Sequence, residues 1–375
     1  MKALSAPSLA TLLAALIALS PLCGHAAHPR EIRTVITAIN GFGSAATTLT
    51  PADFQAAGYA YGDVFTITLH GTTYGYVPYY TGYYADSGHL ELVCYNGKGD
   101  VHVALGERSF ADRYSAAVGD SIVITPVLKG AERMRQSVLG LIYSDDRTQF
   151  PTPQAFANFR EVRAGQIQAG RLYRSASPFD NSHSRAATSS QLAEEAGIRT
   201  ILDLSDDLPH MERHKPLPPY SQQMIDGQHV ICHKLGADIT SEKYYKPLIQ
   251  MLTSLAAEPT PYLVHCVEGK DRTGYACFLL EALAGATYAE IEADYMQTYA
   301  NYFGITRQGT PDKYETIVRL RLLPFLRNVA STPDATDLTT IDLQAAVAAY
   351  LVQKGMPPTA VETLRTRLTH QNSEQ

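Results

Sequence analysis

The chain has 375 residues, of which 31 are Lys or Arg and 37 are Asp or Glu, so its formal net charge is −6. This length favours two domains, because a domain typically takes about 100–200 residues. Ordinary Gly and Pro contents exclude collagen-like and disordered chains, and the mildly acidic balance excludes proteins that coat nucleic acid. Any anion-binding site must therefore be built locally.

The first 26 residues have the pattern of an export signal. Lys2 gives a basic start, an apolar run follows over residues 9–19, and small residues stand at 24–27. The run is too short to span a bilayer comfortably, so we expect cleavage near Ala26 and a periplasmic or secreted protein with no membrane span after cleavage. Two alternatives stay open: a membrane anchor, and a lipoprotein attached at Cys23, although Leu22 fits poorly before such a cysteine.

Residues 27–148 predict a small all-β, barrel-like domain. Gly-rich turns separate the strand-like runs, and the even spacing is typical of a barrel or sandwich. Nine of the 23 tyrosines lie between Tyr59 and Tyr95, where they either fill strands or line a surface for a ligand or protein. The predicted strands are 35–39, 64–69, 90–94, 101–105 and 121–124.

Residues 149–375 predict an α/β domain with a central, mostly parallel sheet flanked by helices. A linker with two prolines at 149–153 opens it, and apolar runs at 200–204 and 262–264 then alternate with helical stretches. Strand–helix alternation is the pattern of parallel sheets. The predicted helices are 189–197, 241–257, 274–284, 288–302, 312–326, 343–354 and 360–368.

The segment 265–274, named the phosphate loop below, carries the chemistry. Cys266 ends an apolar strand, five residues separate it from Arg272, and a helix follows. Loop amides and a helix N-terminus can surround a phosphoryl dianion, and a planar guanidinium can grip two of its oxygens. The same positive field favours the thiolate of Cys266, which would attack phosphorus and form a phosphocysteine.

The other residues of the phosphate loop have supporting roles in this interpretation. His265 orients the loop through hydrogen bonds, Gly269 lets the backbone turn, and the Thr273 hydroxyl donates to the sulfur of Cys266. The alternative is a buried structural cysteine beside an unrelated turn, or a phosphate-binding module without turnover. The residues expected to bind substrate are Val267, Glu268, Gly269, Lys270, Thr273 and Gly274.

The leaving group needs a proton, for which a carboxylic acid is the usual donor. Asp271 lies within the phosphate loop. Asp238 lies 28 residues before Cys266 and just ahead of a predicted helix, where it would otherwise serve as an N-terminal cap. Asp206 and Asp207 are further candidates, so the identity of the acid stays open.

The phosphate loop resembles the His-Cys-x-x-Gly-Lys-Asp-Arg-Thr-Gly signature of a bacterial protein-tyrosine phosphatase family. The segments 158–160, 170–175, 197–204, 291–296 and 360–368 are similar to further parts of that family, so the resemblance covers roughly residues 155–370. It implies hydrolysis of phosphotyrosine or of phosphoinositides, with Asp271 contributing to catalysis. The chain departs from the family at 161–163 and at Ser205, where an arginine is usual.

The front domain has a weaker resemblance. Its recurring Gly-Asp turns, within residues 32–126, are similar to the C-terminal β-barrel of S-adenosylmethionine hydroxide adenosyltransferases. The catalytic domain of that family is absent, so adenosyl chemistry is not implied.

Together these patterns predict an exported phosphatase acting on phosphotyrosine in proteins through Cys266. We expect no cofactor and no metal ligands. The alternative substrate is a phosphoinositide or an inositol phosphate. Whether Cys266 pairs with Cys232 or Cys277 is left open by the sequence.

Overall fold

A computed structural model describes residues 30–236, 238–330 and 337–370. The predicted export signal, with Cys23, lies outside these residues. The chain divides into two compact units, the first ending at Gln136 and the second beginning at Ser137. This division is ahead of the linker predicted at 149–153. None of the described helices is long and apolar enough to cross a lipid bilayer.

The first unit is a closed barrel of seven strands in the order β1-β2-β6-β5-β4-β3-β7. Strand β7 pairs with β1 and so closes the barrel. Strands β4 and β5 are parallel to each other, and all other neighbouring strands of the barrel are antiparallel. Closure removes the free edges that an open sheet would expose. The strands are β1 (Ile32–Ile39), β2 (Ala45–Thr47), β3 (Val64–Leu69), β4 (Thr72–Tyr80), β5 (Leu90–Val93), β6 (His102–Leu105) and β7 (Ser121–Leu128). The helices of this unit are α1 (Pro51–Ala56) and α2 (Phe110–Tyr114), and the next helix, α3 (Arg133–Leu139), contains the division between the units.

The tyrosine cluster divides between the core of the barrel and its surface. Tyr79 is 1% exposed and stacks on Phe54 of α1, with ring centroids 4.3 Å apart. Tyr76, Tyr83 and Tyr95 are at least half exposed. Strand β4, which carries several of these tyrosines, was not predicted, because Gly75 and Pro78 interrupt its pattern.

The second unit has a five-stranded sheet in the order β11-β10-β12-β9-β8. The first four strands are parallel and β8 is antiparallel to β9. All four residues of β12 are buried, as expected for a central parallel strand covered on both faces. The strands are β8 (Arg160–Glu161), β9 (Leu172–Ser175), β10 (Thr200–Asp203), β11 (Val230–Cys232) and β12 (Tyr262–His265).

Helices cover the sheet, and α9 (Asp271–Leu283) is buried at every position from Thr273 to Leu283. The helix predicted at 312–326 is instead two helices joined by a π-helical segment, Val318–Leu322. The other helices are α4 (Pro153–Ala157), α5 (Ala186–Glu195), α6 (Leu208–Met211), α7 (Pro219–Asp226), α8 (Glu242–Ala257), α10 (Tyr288–Phe303), α11 (Pro311–Ile317), α12 (Leu323–Ala330), α13 (Leu343–Gln353) and α14 (Pro358–Thr369).

Candidate active site

The phosphate loop connects the carboxyl end of β12 to the N-terminus of α9. His265 of β12 pairs with Asp203 of β10 on one side and with Ser175 of β9 on the other. Because parallel strands end at the same edge, the segments that follow all three strands meet around the loop. Cys266 lies at this edge with only 3% of its surface exposed, and it is a free thiol.

The backbone carbonyls of the phosphate loop are held from outside the loop. The Ser177 amide donates to the Val267 oxygen at 3.1 Å, and the Tyr302 hydroxyl donates to the Glu268 oxygen at 2.7 Å. The Gly269 oxygen accepts two bonds of 3.0 Å, from Asn158 Nδ2 and from Arg174 Nη2. Three successive carbonyls are therefore turned away from the centre of the loop.

The orientation of those carbonyls fixes the orientation of the amides. In a planar trans peptide the C=O and the following N–H point in opposite directions. The N–H groups of Glu268, Gly269 and Lys270 consequently face the side opposite the carbonyl partners, and none of them donates to another residue in the described part of the chain. Together with the start of α9 they form a set of donors suited to an anion.

Gly269 is required by both backbone conformation and space. Its φ is +66°, a region that residues with a Cβ rarely adopt. A Cβ at this position would lie 2.2 Å from the backbone oxygen of Ser175. The loop can approach β9 this closely only with glycine here.

Behind the loop lies a buried ionic cluster that the sequence analysis did not assign. Arg174 of β9 is 1% exposed, and its Nη1 donates to Asp294 Oδ2 of α10. Arg160 Nε donates to Asp294 Oδ1 at 2.7 Å. Burial alone would raise the pKa of Asp294, but the two guanidinium groups hold it well below its usual range.

Asn158 joins this cluster to the loop. Its Oδ1 accepts from Arg160 Nη1 at 2.7 Å and from Asn301 Nδ2 at 2.9 Å, which leaves its Nδ2 to donate to the Gly269 oxygen. Asn158 and Arg174 therefore support the loop without occupying it. The segments 158–160, 170–175 and 291–296 were noted as similar to the phosphatase family. No local sequence pattern shows that these segments, far apart in the chain, contact one another.

Arg272 is anchored by one edge of its guanidinium. Nη1 donates to the Leu235 oxygen at 3.1 Å and to the Leu204 oxygen at 3.3 Å. Over the described ranges, Nε and Nη2 have no protein hydrogen-bond partner and no carboxylate lies within ion-pair distance. That remaining edge has the geometry for a bidentate contact with two phosphate oxygens.

The positive charge of Lys270 is balanced within the loop. Its Nζ lies 2.8 Å from Glu268 Oε2 and 3.7 Å from Asp271 Oδ2. Burial opposes its charge, yet the two carboxylates raise the pKa of Lys270 above its ordinary value. The carboxyl group of Asp271 is half exposed, at the first position of α9.

His265, which directly precedes Cys266 in the chain, and Thr273 are both fully buried. Complete burial lowers the pKa of His265 to about 4, so its ring is neutral at neutral pH, and Nδ1 lies 3.4 Å from the Cys266 oxygen. The hydrogen bond expected from the Thr273 hydroxyl to the sulfur is not formed, since Thr273 Oγ1 has no partner among the described residues.

The four candidate acids lie in different settings. Asp238 is exposed, and its Oδ1 accepts from the Thr240 amide at 2.9 Å and from the Thr240 hydroxyl at 2.7 Å, in the turn before α8. Asp207 caps α6, accepting from the His210 amide. Asp206 is buried against His210. Asp271 alone among them is part of the phosphate loop.

Comparison with known proteins identifies the second unit. The model of the tyrosine phosphatase family matches residues 153–370, which is more than half of the chain. No curated protein matches the chain.

Three solved structures are similar to parts of the chain. An uncharacterized conserved protein from Thermotoga maritima is 19% identical, over 25% of this chain and 36% of that one, with a TM-score of 0.23. A conserved hypothetical protein from Thermus thermophilus is 18% identical, over 25% and 34%, with a TM-score of 0.20. The chain thus spans about a third of the length of each of these two proteins.

The third is the core catalytic domain of the PP-IP phosphatase SIW14 from S. cerevisiae, in complex with citrate. It is 20% identical, over 45% of this chain and 94% of that one, with a TM-score of 0.26. The resemblance of residues 32–126 to S-adenosylmethionine hydroxide adenosyltransferases stays a prediction.

Replacing Gly269 by alanine tests whether the tight approach of the loop to β9 matters. We expect Gly269→Ala to lower kcat/KM for an aryl phosphate by about 100-fold or more, because the loop must move away from the Ser175 oxygen. Gly170→Ala is the matched control, since Gly170 has a φ of +71° and nothing within 4 Å of its added Cβ. It should cost about 1–2 kcal/mol of stability and leave kcat/KM unchanged. Equal activity of the two variants would contradict the account.

Proposed function

The chain belongs to the tyrosine phosphatase family of phosphoric monoester hydrolases, and we propose that it hydrolyses phosphotyrosine in proteins through a phosphocysteine intermediate on Cys266. The observation that carries this proposal is the phosphate loop. It contains Cys266, three successive amides without a protein acceptor and one edge of Arg272 without a protein partner in the described part of the chain.

The reaction proceeds in two displacements. The Cys266 thiolate attacks phosphorus, the P–O bond to the phenol breaks, and a carboxylic acid gives its proton to the leaving oxygen. Water then attacks the phosphocysteine and gives a proton to the same carboxylate, the P–S bond breaks, and inorganic phosphate leaves with the thiolate and the carboxylic acid restored. In both steps the loop amides and Arg272 bind the equatorial oxygens, whose charge they stabilise without reorganising.

Asp271 is the proposed proton donor. It lies in the phosphate loop, and its carboxyl group is half exposed, so it can reach a leaving group at the mouth of the site. The Oδ1 of Asp238 is already engaged by two donors of Thr240. His265 is excluded from this role because its ring is buried and neutral.

The charge distribution favours a substrate with a single phosphate group. Arg272 is the one loop cation without a carboxylate partner in the described part of the chain, whereas Lys270 is paired with Glu268 and Asp271. A single guanidinium and a ring of amides match one phosphate dianion. A polyphosphorylated ligand would need further cations at the mouth.

A phosphoinositide or an inositol phosphate is the second candidate, and one observation favours it. His233 and Lys234 are exposed immediately before Leu235, whose carbonyl anchors Arg272. Lys234 is the cation nearest in sequence to that anchor, and together with the imidazole of His233 it could bind a second phosphate group of a substrate.

Export is a separate proposal, and it rests on residues 1–26 alone. Mass spectrometry of the protein purified from its natural host should find a chain that begins close to residue 27. An intact N-terminus on the bulk of the protein would overturn it.

Replacing the proposed nucleophile should abolish turnover. We expect Cys266→Ser to lower kcat by about 10⁴-fold or more on phosphotyrosine peptides, because the hydroxyl is a much weaker nucleophile at neutral pH. Cys232→Ser, at a half-buried thiol of β11, should keep its activity.

A panel of substrates would then separate the candidates. Phosphotyrosine peptides should give a higher kcat/KM than phosphoserine peptides, phosphoinositides or inositol phosphates. Preference for the inositol compounds, lost in Lys234→Ala, would favour the second candidate. Binding of inorganic phosphate without turnover of any of them would identify a non-catalytic module.

The residue that protonates the leaving group can be identified from pH–rate profiles. Asp271→Asn should lower kcat by about 10²–10⁴-fold and remove the basic limb of the profile, because that limb reports loss of the donor's proton. The loss should be largest for esters of weakly acidic alcohols and smallest for those of acidic phenols, whose oxygen needs no proton to leave. Asp238→Asn is the control and should retain the basic limb. The opposite result would transfer the role to Asp238.

A further inference from the structure

Three metal-binding side chains meet beside the phosphate loop and take no part in the proposed reaction. Asp206 follows β10, His210 lies in α6, and His214 ends the 3-10 helix Glu212–His214. One ligand atom from each lies within 4.8 Å of the others. Successive members are four positions apart, and Asp206 lies just ahead of the cap of α6, so that the three side chains meet on one side of the segment 206–214.

The cluster contains polar atoms that no protein group satisfies. Asp206 Oδ2 is buried without a hydrogen-bond partner among the described residues, and the Asp206 side chain is only 2% exposed. His214 Nε2 is likewise buried without a hydrogen bond, and it lies 3.5 Å from this oxygen, a distance at which a protonated ring would form an ion pair. Asp206 Oδ1 is in contact with His210 Nδ1. An unsatisfied buried carboxylate oxygen is costly, and a bound cation would satisfy it.

The geometry points to a site for a divalent transition-metal ion, Zn²⁺ above all, held by Asp206, His210 and His214, and we propose that the chain binds one such ion there. Imidazole nitrogens and a carboxylate oxygen are the ligands that zinc prefers. In a tetrahedral zinc site neighbouring ligand atoms are about 3.3 Å apart, close to the 3.5 Å found between His214 and Asp206. Three protein ligands leave a fourth position for water.

The surroundings of the cluster orient the ligands. Asp180 Oδ1 lies 3.8 Å from His214 Nδ1, the ring nitrogen opposite the proposed metal ligand Nε2. A carboxylate next to the second nitrogen is the usual arrangement behind a metal-bound histidine. The Asp206 amide donates to Asp203 Oδ1 at 3.2 Å, which fixes the backbone of Asp206 at the end of β10.

The proposed ion would also act on the catalytic segment. Leu204, two residues before Asp206, accepts from Arg272 Nη1 and donates its amide to the His265 oxygen. A metal ion that ties Asp206 to the helical segment 208–214 would restrain the chain that positions Arg272. This inference goes beyond the proposed function, because the displacement at phosphorus does not use these three residues.

Zinc binding should be measured directly on the full chain. The background is Cys266→Ser, so that a reactive thiolate does not contribute a competing site. Isothermal titration with Zn²⁺ alone and metal analysis after dialysis should find one ion per chain. His210→Gln and His214→Gln should each weaken Zn²⁺ binding at least tenfold, and Asp206→Asn should do the same.

The control is His70→Gln, because His70 Nε2 lies 2.8 Å from Asp120 Oδ2 in a histidine–carboxylate pair that has no third ligand among the described residues. It should bind Zn²⁺ as the background does. Co²⁺ provides a second readout, since its visible spectrum should report a nitrogen-ligated tetrahedral ion in the background and lose that signature in His214→Gln. Absence of a stoichiometric ion, or binding that persists unchanged in all three cluster variants, would overturn the proposal.

Discussion

The phosphate loop depends on the buried ion pair between Arg174 and Asp294. Arg174 is charged inside the protein, where an unpaired guanidinium would be very costly, and Asp294 compensates that charge. The guanidinium can then donate to the Gly269 oxygen at 3.0 Å. Removing Asp294 would leave the buried cation Arg174 unpaired beside the partly buried Arg160, which is more damaging than removing a whole pair. The conformation of the phosphate loop therefore depends on charged residues behind it that do not take part in the proposed reaction.

Different elements of the second unit hold the phosphate loop and form its surroundings. The parallel strands bring three chain segments to one edge, and α10 closes the loop from behind with Asp294 and Tyr302. Helix α9 would contribute its N-terminus to the proposed anion site, because it begins at Asp271, directly after the turn. The seven-stranded barrel of the first unit has its own core.

Local sequence predicted the loop and many regular elements, but not the contacts that hold the loop. Strand β3 lies at 64–69 as predicted, and the Cys266–Arg272 spacing marked the site. Asn158 and Arg174 act on Gly269 from sequence separations of 111 and 95 residues, which no local periodicity can reveal. The hydroxyl bond expected from Thr273 is absent because side-chain direction depends on packing around the helix. The Asp206 cluster also went unpredicted, because the sequence alone does not show that Asp206 is buried or that the three side chains meet.

The central claim is that Cys266 carries the phosphoryl group during turnover. Rapid acid quenching of the protein with a phosphotyrosine peptide, followed by peptide mapping, measures this directly. The account predicts one phosphoryl group on the peptide that contains Cys266, formed and lost at rates consistent with turnover. Asp271→Asn should form it more slowly. Turnover with no phosphoryl group on Cys266 at any time, or with the group on another residue, would contradict the account.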